Sequence, residues 1–409
     1  MTTMAIDNKE KEVLNVPHLR FPEFSGEWYS YPLTDFMSFK NGMNPDAKRF
    51  GHGTKFISVM DILNNQFIRY DNIRASVEVI AGDIETYGVN YGDILFQRSS
   101  ETLEDVGQAN VYLDSKPAVF GGFVIRGKSK GNYHPMFFRY LLASPTARKR
   151  IIVKGAGAQH FNIGQDGLSK VYLDIPSIQE QEKIAKLLEC IDDRIATQNK
   201  IIEDLKKLKS AISQHLFSQE PNVWNRLDNL FVKGKAGGTP ISTNKEYYNG
   251  NIPFLSINDI TRQGKYIWLT EKHISLNGLE NSSAWIVPKH SLIMSMYASV
   301  GLVTINQVPI ATSQAMFSML LRDKSLLDYL YYYLSYFKYR HIHKYLETGT
   351  QSNINADIVS GIMIPDYGYR HNMQIASMLQ SIDMKIDNES SILERYSQQK
   401  NDLLSSLFI

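Results

Sequence analysis

Apolar residues recur at steps of four and three along two stretches of the chain: Ile184, Leu188, Ile191, Ile195, Ile202, Leu205, Ile212 and Leu216, then Ile375, Leu379, Ile382, Ile386, Leu393, Tyr396, Leu403 and Leu407. This spacing is the seam of a long helix built to lie against another helix. The offset is constant, because 375 − 184 and 407 − 216 both equal 191. Even the polar interruptions repeat, with Gln198 and Lys209 falling where Glu389 and Lys400 fall in the second copy. The chain therefore carries its own coiled-coil partner. The first helix is expected over residues 177–217, spanning about 60 Å at 1.5 Å per residue, and the second over 366–409. A helix of that length delivers the chain to the second module at its far end, while the second copy leads away from that module, so antiparallel packing is expected. Lys209 would then face Glu389 and Lys400 would face Gln198, either specifying the pairing or merely snorkelling at its edge.

The remainder of each half matches more weakly. Phe56-Ile57-Ser58 ending in Asp61-Ile62 echoes Phe254-Leu255-Ser256 ending in Asp259-Ile260, and Gly92-Asp93-Ile94-Leu95-Phe96 corresponds to His290-Ser291-Leu292-Ile293-Met294. Gly157-Ala158-Gln159 near Asn162 and Ile163 mirrors Gly349-Thr350-Gln351 near Asn353 and Ile354. Turn residues such as Asn41-Gly42, Asn44-Pro45, Gly121-Gly122, Gly237-Gly238 and Asn249-Gly250 punctuate short strands. Helical spacing predicts one further helix per module, Tyr133 to Val153 and Leu326 to Leu346, with Pro176 and Pro365 marking the exits. The expected fold is α+β: two repeated domains, each followed by a long helix, the helices pairing antiparallel with pseudo-two-fold symmetry. The boundaries expected are a leader over 1–20, a first module over 21–176, helix 177–217, a second module over 218–365 and helix 366–409. Trp28 with Leu33 opens the first module as Trp224 with Leu227 opens the second.

Composition narrows the class. A chain of 409 residues, 43% hydrophobic and 21% charged, can bury two ordinary domain cores. Residues 1–20 contain acidic groups and no apolar segment, unlike a signal peptide. The uncharged run Ser291 to Leu321 is interrupted by Ser295, Ser299, Asn306, Pro309 and Gln314, which reads as buried strands rather than a membrane span. Cys190 alone makes no internal disulfide and suits a reducing cytoplasm. Charge is nearly balanced, 44 basic against 42 acidic residues, so a grip on nucleic acid would have to be shared with partners.

Catalytic signatures are missing. There is no phosphate-binding or dinucleotide glycine loop and no zinc-spaced Cys or His pair, and His341 and His343 stand two apart rather than four. Pro365-Asp366 followed by Asp383-Met384-Lys385 fits a degenerate nuclease pattern, but the first repeat holds Pro176-Ser177 at the matching place. Asn44-Pro45-Asp46 lacks the aromatic residue of an adenine-methylating site. What remains is a set of polar and basic loops of the kind that positions phosphates and reads base edges. In the first module these are Lys40, Asn41, Lys48, Arg49, Gln97, Arg98, Ser99 and Ser100. In the second they are Lys233, Lys235, Thr239, Ser242, Lys245, Ser295, Tyr297, Ser299, Ser313 and Gln314. Gln159, Asn162, Gln351 and Asn353 are common to both modules and suit a structural task better than sequence reading. No metal ligand set is expected.

Taken together, this pattern resembles the specificity subunit of a bacterial type I restriction-modification system. The likeness is carried by Val16-Pro17-His18-Leu19-Arg20-Phe21-Pro22-Glu23-Phe24 before Gly26-Glu27-Trp28, by Ile175-Pro176 before Gln179-Glu180-Gln181-Glu182-Lys183-Ile184-Ala185, and by Gly237-Gly238-Thr239-Pro240. Ile364 to Tyr369 departs from the usual glutamine-rich helix entry, and the first module lacks the Gly-Gly-Thr-Pro loop. The resemblance implies a non-catalytic reader in which each target recognition domain binds one half of an asymmetric two-part site in double-stranded DNA. It implies two methyltransferase and two restriction subunits as partners, no membrane, and no cofactor in this chain. S-adenosylmethionine, ATP and magnesium would sit on the partners, in a cytoplasmic phage-defence complex. Competing readings are a free-standing DNA-binding regulator, a coiled-coil interaction scaffold, and a cryptic nuclease through Asp366, Asp383 and Lys385.

Overall fold

The computed structural model describes residues 15–157, 160–345 and 353–409. Each module is built on two small sheets. In the first, an antiparallel sheet runs in the order Met37–Asn41, Val124–Ser129, Ile94–Gln97, Ala109–Val111, beside a three-stranded sheet of Ala75–Val77, Phe50–Ile57 and Val119–Phe120. The second module repeats the core of this plan with Phe231–Ala236, Met316–Leu321 and Leu292–Ser295, and extends that sheet through Val303–Asn306 to Tyr266–Ile267. The uncharged run beginning at Ser291 resolves into three of these strands and Ile310–Thr312, a strand of the module's other sheet, and no described helix is long and apolar enough to cross a membrane.

The echo around Phe56 and Phe254 has a local cause. Each strand runs straight into a short helix whose capping serine donates its backbone N–H to a buried aspartate, Ser58 to Asp61 at 2.7 Å and Ser256 to Asp259 at 2.9 Å. This reciprocal cap satisfies amide groups that the helix start would otherwise leave unpaired. Both strands then pair in parallel with a later strand of their own module, Phe56 with Val119 and Phe254 with Ala311.

A two-stranded ribbon closes each module. Tyr29 pairs with Ile175 and Val223 with Asp366, and Leu33 and Leu227 donate to the carbonyls of Val171 and Ile362, each at 2.9 Å. This register makes the two leucines counterparts but not the two tryptophans. Trp28 lies one residue before its strand, buried against Phe137 and Phe408, and donates to Glu180 at 3.3 Å. Trp224 lies inside its strand and is 47% exposed. The end of the leader is also better tied down than its composition suggests, since Leu19 donates to the Ser406 carbonyl and Arg20 pairs with Glu180 at 2.8 Å.

The long helices run Ile178–Phe217 and Tyr369–Ser406. The second starts three residues later than expected, because Asp366 accepts from Gly368 N–H at 2.8 Å and Asn372 at 2.9 Å and so closes the entry turn. Among the shorter helices, the stretch expected as one element from Tyr133 breaks into Pro135–Ala143 and Pro145–Ile152, because Pro145 has no N–H to continue the first. Its counterpart is Leu327–Arg340, followed by a tight turn through Ile342–Tyr345, and Leu346 lies outside the described residues.

Compactness does not follow chain order. One unit combines the chain up to Asn199 with Ser391–Ile409, and the other is Lys200–Ser390, so each unit holds the start of one long helix and the end of the other. In the first unit Ile184, Ala185 and Leu188 share a core with Leu404, Leu407 and Phe408. In the second Ile375, Ala376 and Leu379 share a core with Phe217, flanked by Ile212 and Leu216. Both pairings bring a helix start to a helix end, which is antiparallel. The polar seam residues are offset from expectation: Lys400 meets Asp192 and Lys209 meets Asp383, while Glu389 pairs with Lys385 on its own helix.

Candidate nucleic-acid interface

Three loops converge at one edge of the first module. The strand Met37–Asn41 leads into Gly42, whose N–H donates to the Val124 carbonyl at 3.1 Å, and Met43 donates to Phe120 at 3.0 Å. The fit depends on glycine, since a Cβ on Gly42 would run into the Gly121 carbonyl and one on Gly122 would run into the Asn44 side chain. The strand Ile94–Gln97 supplies the third loop: Arg98 N–H donates to Phe123 at 2.9 Å, its guanidinium reaches the Gly122 carbonyl at 3.3 Å, and Ile163 closes onto the Arg98 carbonyl at 2.9 Å.

The second module builds the same junction. Gly237 N–H donates to Met316 and Gly238 N–H to Thr312, a Cβ on Gly237 would strike the Thr312 carbonyl, Met296 donates to Ala315 at 2.7 Å, and Ile354 closes onto Met296 at 3.0 Å. By this register Gly42-Met43-Asn44-Pro45 is the structural counterpart of Gly237-Gly238-Thr239-Pro240, although only the proline and one glycine are shared. The loop that the first module lacks in sequence is present in its backbone.

What the loops display differs between modules. The first presents Asn44, the half-exposed Arg98 and Phe123, which is 69% exposed at the tip of its turn. The second presents Thr239 and Gln314, joined by a hydrogen bond from the Thr239 hydroxyl, and the exposed Tyr297 beside Ala298, which holds a left-handed φ of 58°. Met296, the counterpart of Arg98, is buried. The clefts beside the loops diverge too. That of the first module, about 390 Å³, is lined by Met43, Phe50, Phe56, Met60 and Phe123, whereas that of the second, about 690 Å³, is lined by Thr239, Ser242, Glu271, Lys272 and His273.

The other expected site residues divide. Lys48, Lys235, Ser242, Lys245 and Ser299 are exposed, Lys40 lies 5.4 Å from the Tyr87 ring, and Lys233 lies 4.3 Å from that of Trp285. Asn41 is occupied in register with Ile125, Ser99 bonds Asn162, Ser100 accepts from Thr102 N–H at 3.2 Å, and Ser313 accepts from Ala315 N–H at 3.3 Å. Two expectations fail. Arg49 spends its guanidinium on Asp83 and on the Glu78 carbonyl at 2.7 and 2.9 Å, which leaves little for a phosphate. Ser295 is fully buried, donating to Ser299 at 2.6 Å and accepting from Leu302, so it shapes the loop and faces no ligand. Gln97 is also buried; its amide donates to Ser99 at 2.9 Å while its Oε1 has no partner among the described residues. Gln159 and Gln351 lie outside the described residues, and Asn162 accepts from the Ser99 hydroxyl and donates to the His160 carbonyl at 3.2 Å.

Asn44 and Phe123 are the functional candidates that loop polarity alone misses. By the junction register Phe123 corresponds to Ala315, so the polar loop of the second module gave no pointer to it, and a phenylalanine after a strand reads as core. The carboxylates of the nuclease-like pattern are committed elsewhere: Asp366 caps a helix entry, and Asp383 is bound by Lys209 and Tyr332. Among the described residues no cluster of three potential metal ligands occurs.

A family model for the type I restriction modification DNA specificity domain matches residues 25–207 and again residues 221–395. The chain belongs to that family. It carries the domain twice, and sequence recognition in DNA is the task of such domains. Among curated relatives, the putative type I restriction enzyme MjaX specificity subunit of Methanocaldococcus jannaschii is 24% identical, covering 94% of this chain and 93% of its own length. The HindI specificity subunit of Haemophilus influenzae is 23% identical over 76% of this chain and 83% of its own. Among solved structures, a type I S subunit from M. genitalium matches with a TM-score of 0.55 at 14% identity, covering 96% of this chain and 99% of its own. A chain from a study of type I complex assembly and conformational transition matches at 0.59 and 14%, covering 92% and 96%. At that identity the structures speak for the fold.

Proposed function

We propose that the chain is the DNA-reading subunit of a type I restriction-modification complex, with each three-loop edge binding one half of an asymmetric two-part site. The observation that carries this reading is one backbone junction built twice with different side chains displayed on it. Two readers that share a scaffold but differ at Asn44 against Thr239, Arg98 against Met296, Gly122 against Gln314 and Phe123 against Ala315 are suited to two different half-sites. The paired helices would set the gap between them. A net charge of only +2 leaves much of the phosphate grip to methyltransferase and restriction subunits, two of each, docked on the same DNA. S-adenosylmethionine, ATP and magnesium belong to those partners, and the methylated adenine would be flipped into the methyltransferase.

The test is co-expression with the neighbouring methyltransferase gene, followed by mapping of methylated adenines across a host genome at base resolution. One two-part motif with a fixed gap is expected. A stable complex that methylates a single undivided motif would refute the two-reader assignment.

A further inference from the structure

Each unit contains a polar junction where three helices meet, and the two junctions have the same make-up. In the first, the Tyr140 hydroxyl donates to Asp192 Oδ2 at 2.8 Å and Lys400 Nζ lies 2.6 Å from Asp192 Oδ1. In the second, the Tyr332 hydroxyl donates to Asp383 Oδ2 at 2.8 Å and Lys209 pairs with Asp383 Oδ1. Each ammonium also lies over the ring of its tyrosine, at 5.7 Å for Lys400 on Tyr140 and 5.2 Å for Lys209 on Tyr332. A further cation stands beside each junction but is held by other groups, Arg139 by the Gln66 carbonyl at 3.3 Å and Asn110 at 3.1 Å, and Lys265 by Asp328 at 2.7 Å and the Tyr332 hydroxyl at 3.1 Å.

The three groups come from three different elements. The tyrosine belongs to the module's own packing helix, Pro135–Ala143 or Leu327–Arg340, which is anchored in the domain core by Phe137 and Leu141 or by Leu330 and Leu334. The aspartate sits on the long helix that leaves the module, and the lysine near the far end of the other long helix. Burial first, and the adjoining carboxylate second, push both tyrosine hydroxyls far up in pKa, so they remain donors. Apolar surfaces alone allow small slides and rotations. A directional bond to a paired charge does not, and register is the best-attested use of such groups where their gain in stability is small.

We infer that Asp192 and Asp383 are positioning residues that fix the angle of each recognition module on the paired helices and thereby the number of base pairs accepted between the half-sites. The inference rests on the two-reader assignment proposed above. One base pair more or less in the gap displaces a half-site by about 3.4 Å along the DNA axis and about 35° around it. A module held at its junction rejects that displacement, and a module freed from it follows.

The decisive variants are Tyr140→Phe and Tyr332→Phe, which delete one hydroxyl and keep the ring, assayed as complexes with the methyltransferase by base-resolution methylation mapping. Half-site sequences are expected to stay as in the parent chain, while methylation at sites with a gap one base pair longer or shorter rises at least tenfold. Lys400→Arg, which keeps the cation, is expected to retain the parent gap. Leu168→Ala, in the core away from the junction, separates positioning from mere stability: it is expected to lower the melting temperature and methylation at every site without opening new gaps. Unchanged gaps in both tyrosine variants, or equal broadening in Leu168→Ala, would overturn the inference. A parent chain that yields no two-part motif would instead sink the functional assignment on which it rests.

Discussion

Arg98 and Met296 occupy the same place in the two modules, yet one is a half-exposed cation braced by the Gly122 carbonyl and the other is buried. Arg98→Ala is therefore expected to relax base preference at one half-site only, with a loss of about 1–3 kcal/mol, or roughly 5- to 150-fold in discrimination. Competition binding of the complex to DNA carrying single substitutions in each half-site measures this, and equal losses at both halves would refute the assignment. Residue chemistry was only partly legible along the chain. A polar side chain in a loop announces a possible contact, but its partners decide what is left of it. Arg49 is consumed by Asp83 and a backbone carbonyl, and Ser295 by the turn it folds. Conversely Asn44 and Phe123 take their places at the three-loop edge through backbone geometry, which residue type does not disclose.

At the scale of elements, the long helices were legible because a seam of apolar residues at steps of four and three has no other stable solution than a partner helix. Their exact register was not, because sliding an antiparallel pair leaves the apolar pattern almost unchanged. Lys209 and Lys400 find Asp383 and Asp192 rather than the expected Glu389 and Gln198, which stand six residues further along. The helix ends matter as much as the seam. Phe408 packs against Phe137 at 5.5 Å and Trp28 at 6.4 Å, and its counterpart Phe217 packs against Tyr333 at 5.3 Å. Phe408→Ala leaves a cavity in the first core and is expected to destabilise the protein by about 3–5 kcal/mol. Chemical denaturation followed by far-ultraviolet circular dichroism reports it. A shift below 1 kcal/mol would mean that the second helix end does not complete that core.

On the scale of the whole molecule, the constant offset of 191 residues disclosed the duplication, and chain order disclosed neither compact unit. Each unit holds the end of the helix that starts in the other, and those ends complete its core: Leu404, Leu407 and Phe408 lie in one cluster with Leu188, and Phe217 in one with Leu379. A balanced composition likewise gave no sign of the DNA-recognition role, since net charge reports a whole surface and the proposed reading edges are a few side chains wide.

The most direct measurement is the methylation motif of a chimera in which Tyr29–Ile175 is replaced by a second copy of Val223–Asp366, joined at the matched ribbon strands. If each module is an independent reader on a common scaffold, the chimera methylates sites carrying the second module's half-site at both ends. Persistence of the first half-site, or loss of any defined motif in a chimera that folds and assembles, would contradict it.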